Sequence, residues 1–198
     1  MSLLNGVRPS LFGAQSPQTV FDKFAIWIDG PHLRGANIWQ RRVYLTLDGP
    51  DFIGPGPVAP PYTPGGFYRL TALGANCVNT SHPGLFTETP PYTFEKEIPD
   101  HLDNLLDMIA EADMFAVISF RTGPGHSDFT FVTDGVGNRF DESYLNDAIW
   151  QDKTAQNAWL AMWCHTAEHY PDHPIVIGYD SWSSPILTML AATRSKTR

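Results

Sequence analysis

Four short runs of the chain carry hydrogen-bonding side chains in dense groups. They are Asn37-Ile38-Trp39-Gln40, Asn79-Thr80-Ser81-His82, Arg121 with the TGPGHSDF that follows it, and Tyr179-Asp180. Trp39 and Phe129 add flat aromatic faces to these runs. A sugar is apolar on its ring faces and polar around its rim, so stacking faces beside dense donors and acceptors suit one. Strand ends that simply meet water are polar too, and the pattern by itself leaves both readings open.

Other groupings point less clearly to chemistry. Residues 123–128, GPGHSD, fit neither the dinucleotide fingerprint nor the P-loop and read as an ordinary turn. His165 and His169 stand four apart, a spacing that can hold zinc, but the Glu of H-E-x-x-H is missing and His173 is the one further candidate. A solvated helix end, with His near its C-terminus, is the better reading. The chain has no G-x-S-x-G elbow, which disfavours a conventional α/β-hydrolase esterase. His126, Ser127 and Asp128 are adjacent on one loop, where triad geometry is rarely reached. No metal and no cofactor is expected.

The elements that would position these runs alternate. FAIWIDGPHLRGANIW, from Phe24, reads as a hairpin or two short strands about the Asp29-Gly30-Pro31 turn. Residues 47–66 form a long Pro/Gly stretch without regular structure. A short helix then stops at Gly74, and a strand runs from Ala75 to Thr80. Leu102, Leu105, Leu106, Ile109 and Ala110 share one face of an amphipathic helix that has Pro99 near its start. Glu95, Glu97 and Asp100 favour the start of that helix through its dipole. FAVISF, 115–120, is an unbroken apolar strand of the parallel-sheet kind. A helix from about Asp152 to Tyr170 leads to IVIGY. Strands alternating with helices imply βαβ units and a parallel sheet.

The chain has 198 residues, 42% of them hydrophobic, which suits one globular domain with a sizeable core. A net charge of −8 argues against nucleic acid or an anionic membrane as partner. No stretch approaches the ~20 apolar residues of a membrane helix, and no signal peptide is visible, so a soluble protein is expected. Cys77 and Cys164 read as two buried free thiols.

At LRGANIWQ, GANCVNTSHPG, FRTGPGHSDF and IVIGYD the chain resembles the N-terminal half of glycoside hydrolase family 5, the cellulase-like (β/α)8 barrels. The resemblance runs from about Phe24 to Asp180 and lies in the order and spacing of the strand ends. It implies an α/β fold, a partial TIM barrel of about four βα units with a short N-terminal hairpin, spanning 21–180 after an extension over 1–20. It also implies a retaining β-glycosidase, in which Asn37, Trp39, His82, Arg121, His126 and Asp128 line the glycone side of the cleft and a β-glycoside is the ligand.

Family members run from the fourth strand into an x-Glu-Pro motif that carries the acid/base. Here Pro185 is present and Ser184 occupies the place of the Glu. The continuation Leu-Met-Val-Glu-Pro, encoded CTC ATG GTC GAG CCN, becomes TCA TGG TCG AGC CN when the first C is lost. That reads Ser-Trp-Ser-Ser-Pro, the residues at 181–185. The expectation is therefore a one-base frameshift after Asp180, with 181–198 out of frame and no catalytic carboxylate identifiable. A four-stranded half barrel exposes unpaired strand edges, so a homodimer or larger homo-oligomer is expected. The chain is then either a glycosidase by ancestry or a non-catalytic, self-associating remnant with part of a sugar-binding surface.

Overall fold

A computed structural model describes residues 23–38, 62–126 and 146–181. Four strands form one parallel sheet: β1 (Gly35–Asn37), β2 (Cys77–His82), β3 (Phe115–Phe120) and β4 (Val176–Asp180), in the spatial order 1-2-3-4. Four α-helices accompany them: α1 (Lys23–Ile28), α2 (Pro64–Ala72), α3 (Glu97–Glu111) and α4 (Lys153–His169), with a 3-10 turn at Ala148–Trp150 before α4.

Local chemistry explains the boundaries. Pro64 opens α2, and Gly74 follows its last turn at φ +94°, a conformation that costs a glycine little. Glu97 and Asp100 occupy the first turn of α3, where the helix dipole favours negative charge. Asp152 caps α4 by accepting from the backbone N–H of Thr154 at 2.8 Å. Ile98, Leu102, Leu105, Leu106 and Ile109 of α3 are all buried at helical spacing. Each such side chain contributes roughly 1.5–3 kcal/mol when fully buried.

The winding is that of a barrel. Val78, Ala116, Ile118, Phe120 and Val176 share one core cluster with residues of α2, α3 and α4, so those three helices cover the same face of the sheet. A doubly wound sheet reverses its strand order, which does not occur among the described residues, and of the other face α1 covers only the N-terminal end. On the opposite face, Asn79 Nδ2 of β2 donates to Asp180 Oδ2 of β4 at 3.1 Å. These strands lie on either side of β3, about 9.6 Å apart at the usual strand spacing. Short side chains meet across an intervening strand when the sheet curls towards them. Contacts between alternate strands are also how the interior layers of a (β/α)8 barrel are built. The described residues thus form an open α/β sheet of the partial TIM-barrel type, and the face away from the helices is concave.

The expected N-terminal hairpin is not there: residues 23–28 are the helix α1. Ile26 packs with Leu33 on Cys77, Phe115 and Ile177, at the N-terminal end of the concave face. Trp27 Nε1 donates to the carbonyl of Ile177 at 2.9 Å, and Lys23 Nζ to that of Tyr170 at 3.3 Å. One helical turn lets Trp27 satisfy a carbonyl of the β4 edge while Ile26 covers the apolar floor, which a period-two strand cannot do. Cys77 is buried as expected, and burial pushes its thiol up, whereas Cys164 lies exposed on α4. Among the described residues no helix is long and apolar enough to cross a membrane.

Candidate sugar-binding surface

The concave face changes character from one end to the other. Its floor is apolar, built from Cys77, Phe115 and Ile177 with Ile26 of α1, Leu33 and Val117 packed against them. Towards the C-terminal strand ends the register places Asn37 beside Asn79, Ser81 beside Ser119, and Ser119 beside Asp180. Registered partners in a parallel sheet lie on the same face, so these five residues share that face as a polar layer two rows deep, Asn37 and Asn79 in one row and Ser81, Ser119 and Asp180 in the next, joined by the Asn79–Asp180 hydrogen bond. Asn37 is exposed, Asn79 and Asp180 are half-buried, and Ser119 is 1% exposed. The C-terminal end of a parallel barrel sheet is where such folds carry their sites.

A wall of two segments follows the C-terminal ends of β2 and β3. The stretch 83–96 after β2 docks on the turn 121–126 after β3 and on the start of α4. Glu88 O accepts from Gly125 N at 2.9 Å and from Asn146 Nδ2 at 2.7 Å. Tyr92 OH reaches Asp152 Oδ2 at 3.4 Å, and burial followed by that carboxylate pushes its pKa up. Gly84 lies beneath the contact, where an added Cβ would stand 2.4 Å from Thr122 O and 2.8 Å from both Gly123 Cα and Met162 Sδ.

The residues expected to contact a glycone are dispersed. Asn37 lies in the polar layer. Arg121 follows β3 and donates its backbone N–H to His82 O at 2.9 Å. His126 sits in the wall, closing the 123–126 turn, with its ring edge-on to Trp159 and Nδ1 3.7 Å from Asp147 Oδ1. His82 is placed behind the sheet: it is 2% exposed, with Nδ1 2.8 Å from Pro83 O and Nε2 2.8 Å from His101 Nδ1 of α3. A carbonyl only accepts, so His82 Nδ1 carries a proton, and in the neutral pair His101 donates to Nε2. This side chain ties β2 to α3 and does not face the concave side. Trp39, Asp128 and Ser184, with Ser127 and Pro185, lie outside the described residues.

Asn79 and Asp180 were legible as strand-end residues but stood outside the expected set. The signal that separates them from His82 is parity: Val78 is core, so Thr80 and His82 share its face while Asn79 and Ser81 take the other. On β4 the parity is obscured by a register shift between Ala116 and Val117. His165 and His169 stack at 6.3 Å on α4, and His169 Nε2 lies 3.7 Å from Asp103 Oδ1. Among the described residues no group of three His, Cys, Asp or Glu is placed to hold a metal ion.

An α/β barrel-type sheet with a polar layer at its C-terminal strand ends defines the class of scaffold. In sequence, the chain is 24% identical over 116 residues to a β-xylosidase from Phanerodontia chrysosporium, covering 58% of this chain and 23% of that protein. A crystal structure of a glycoside hydrolase superposes at a TM-score of 0.46 with 18% identity, over 70% of this chain and 37% of the other. No family model matches the chain. The chain is thus similar in sequence to part of a β-xylosidase, and it spans only 23% of the length of that curated relative.

Proposed function

We propose that the chain presents part of the glycone-binding surface of a retaining β-glycosidase of the family 5, cellulase-like type, and that it does not itself hydrolyse the bond. The observation that carries the reading is the polar layer of Asn37, Asn79, Ser81, Ser119 and Asp180 at the C-terminal end of the concave face. The sequence likeness to a β-xylosidase supports the substrate class. Retaining hydrolysis needs two carboxylates about 5–5.5 Å apart. Among the described residues the register places one carboxylate, Asp180, in that layer, and Ser184 stands where the resemblance puts the acid/base glutamate.

Aryl β-glucoside, aryl β-xyloside and aryl esters, offered to the 198-residue chain and to a version translated from frame-restored DNA, test this. The restored version, with Leu-Met-Val-Glu-Pro at 181–185 and the frame continuing into four further βα units that bring the second carboxylate, should hydrolyse an aryl β-glycoside while the chain as it stands should not. Turnover by the present chain would refute the loss of catalysis. Absence of glycosidase activity in the restored version would refute the family reading.

A second reading, function through self-association, is favoured by the sheet edges. Among the described residues β1 and β4 each pair with a single strand, and Phe24 and Ile28 of α1, which packs beside β4, are 78% and 77% exposed. Light scattering should report a homodimer or larger assembly; a stable monomer would count against it.

A further inference from the structure

We infer that α1 is a pH-sensitive latch, which closes the apolar floor of the concave face at neutral pH and is released when His173 takes up a proton. The helix has six residues, none of them buried, and a helix this short is marginal in water by itself. Tertiary contacts hold it. Ile26 packs on the floor, Trp27 Nε1 donates to Ile177 O at 2.9 Å, and Lys23 Nζ donates to Tyr170 O at 3.3 Å.

The Lys23 end of the latch meets a histidine. Tyr170 O also accepts from Tyr179 OH at 3.3 Å and from the backbone N–H of His173 at 3.5 Å. The His173 ring stands edge-on to that of Tyr170, with centroids 5.9 Å apart. Its Nδ1 is enclosed and has no hydrogen-bond partner among the described residues. A neutral imidazole can leave that nitrogen bare, but an imidazolium carries a proton on both nitrogens and would bury one N–H without an acceptor.

Charged neighbours act on the ring from three helices. Lys23 of α1 and His169 of α4 oppose a second positive charge, while Asp103 and Asp107 of α3 favour it. Asp103 Oδ1 already accepts from Tyr170 OH at 2.7 Å and lies 3.7 Å from His169 Nε2. Asp172, beside His173 in the chain, favours the charge on Lys23. Burial outweighs both carboxylates and holds the His173 pKa below the ordinary histidine value.

Release of α1 takes the Lys23 ammonium away and lets water reach the imidazole, so the released state binds the proton more readily. The latch is fully effective above pH ~6.5 and weakens as pH falls through the lowered His173 value. One proton shifts the balance by at most about tenfold per pH unit. What opens is local. The floor of Cys77, Phe115 and Ile177 is uncovered, while the cluster behind the sheet, with Leu106 and Ile118, stays packed.

The experiment is an NMR titration of the isotope-labelled 198-residue chain from pH 7.5 to 5. It follows the Trp27 indole N–H, assigned through Trp27→Phe, the His173 ring, and the backbone amides of Leu106 and Ile118. The indole signal should move to the position of a free indole along the His173 titration curve, while the two core amides stay where they are. In His173→Leu, which cannot take up a proton, the indole should not move over this range. Lys23→Met removes the like charge together with the bond to Tyr170, so it should raise the His173 midpoint and free the indole in part even at pH 7.5.

An indole that stays fixed while His173 titrates overturns the inference, as does one that moves only together with Leu106 and Ile118. Both comparisons are made in the unaltered chain and decide the matter even if His173→Leu fails to fold. A shift that persists in a folded His173→Leu, or a transition steeper than one proton allows, also overturns it.

Discussion

Replacing Gly84 by Ala probes whether the wall beside the candidate site is packed as described. The new Cβ would lie 2.4 Å from Thr122 O, 2.8 Å from Gly123 Cα and 2.8 Å from Met162 Sδ. The Met162 thioether can swing aside, because methionine is unbranched and adaptable. The two backbone atoms belong to a turn closed by reciprocal bonds between Gly123 and His126 at 2.9 Å and tied to Glu88, so they move only if the wall opens. Overpacking of a well-filled site costs about 1–3 kcal/mol, and rigid backbone on two sides puts this case at the upper end. Loss of glycine freedom in the unfolded chain returns about 0.4–1 kcal/mol, which leaves a net cost of about 2–3 kcal/mol. Gly74→Ala is the control. It has nothing within 4 Å and suffers only from φ +94°, a strain of roughly 1–2 kcal/mol that the same unfolded-state return cuts to a net cost of about 1 kcal/mol. At about 2–4 °C per kcal/mol for a chain of this size, Gly84→Ala should lower Tm by about 4–12 °C and Gly74→Ala by about 2–4 °C. Thermal and urea unfolding followed by circular dichroism measure both. A Gly84→Ala variant no less stable than Gly74→Ala would mean that segments 83–96 and 121–126 do not pack against each other.

Two further outcomes follow from titratable groups. Tyr170 is 2% exposed and donates to Asp103 Oδ1 at 2.7 Å; burial first, then that bond, pushes its phenol far up. Above pH ~10 the unfolded chain loses this proton while the folded chain keeps it, so stability falls as pH rises. Tyr170→Phe should cost about 1–2 kcal/mol at neutral pH and flatten the alkaline decline, read from urea midpoints at pH 7.5 and 10.5. Burial lowers the His173 pKa despite Asp103 and Asp107 nearby. The unfolded chain then binds more protons just below pH ~6.5, so its contribution is full above that value and fades as pH falls through the lowered one. His173→Leu should reduce the loss of stability between pH 7.5 and 5, and an unchanged slope would refute the assignment.

Much of the scaffold was legible because long elements announce themselves. The helix over Glu97–Glu111 rests on five apolar residues at helical spacing, and FAVISF is bounded by helix and loop at the observed ends. Asp152 and Gly74 marked their helix ends through capping chemistry that needs no tertiary context. Residues 23–28 misled because Phe24, Ile26 and Ile28 alternate, and six residues are too few for period two to exclude a helix. The deciding contacts, from Trp27 to Ile177 and from Lys23 to Tyr170, lie 150 and 147 residues along the chain. His82 misled in another way. It closes a polar strand-end run, yet strand parity with the core residue Val78 turns it towards His101, a signal that residue type alone does not carry. Cys164 was read as buried, but it falls on the exposed side of a helix whose apolar stripe is weak.

The Asn79–Asp180 bond also has a consequence for how this surface can vary among relatives. The two residues are 101 positions apart in the chain, and they meet over β3, where both side chains are short and Ser119, in register with Asp180 and one row beyond Val117, is small. A lengthened side chain on β2 has to be matched by a shortened or differently charged one on β4, and neither can change alone if position 119 grows. The three positions should therefore drift as a set: where an alignment replaces Asn79 by a basic residue, Asp180 should stay acidic, and where Asp180 is lost, the amide should be lost with it.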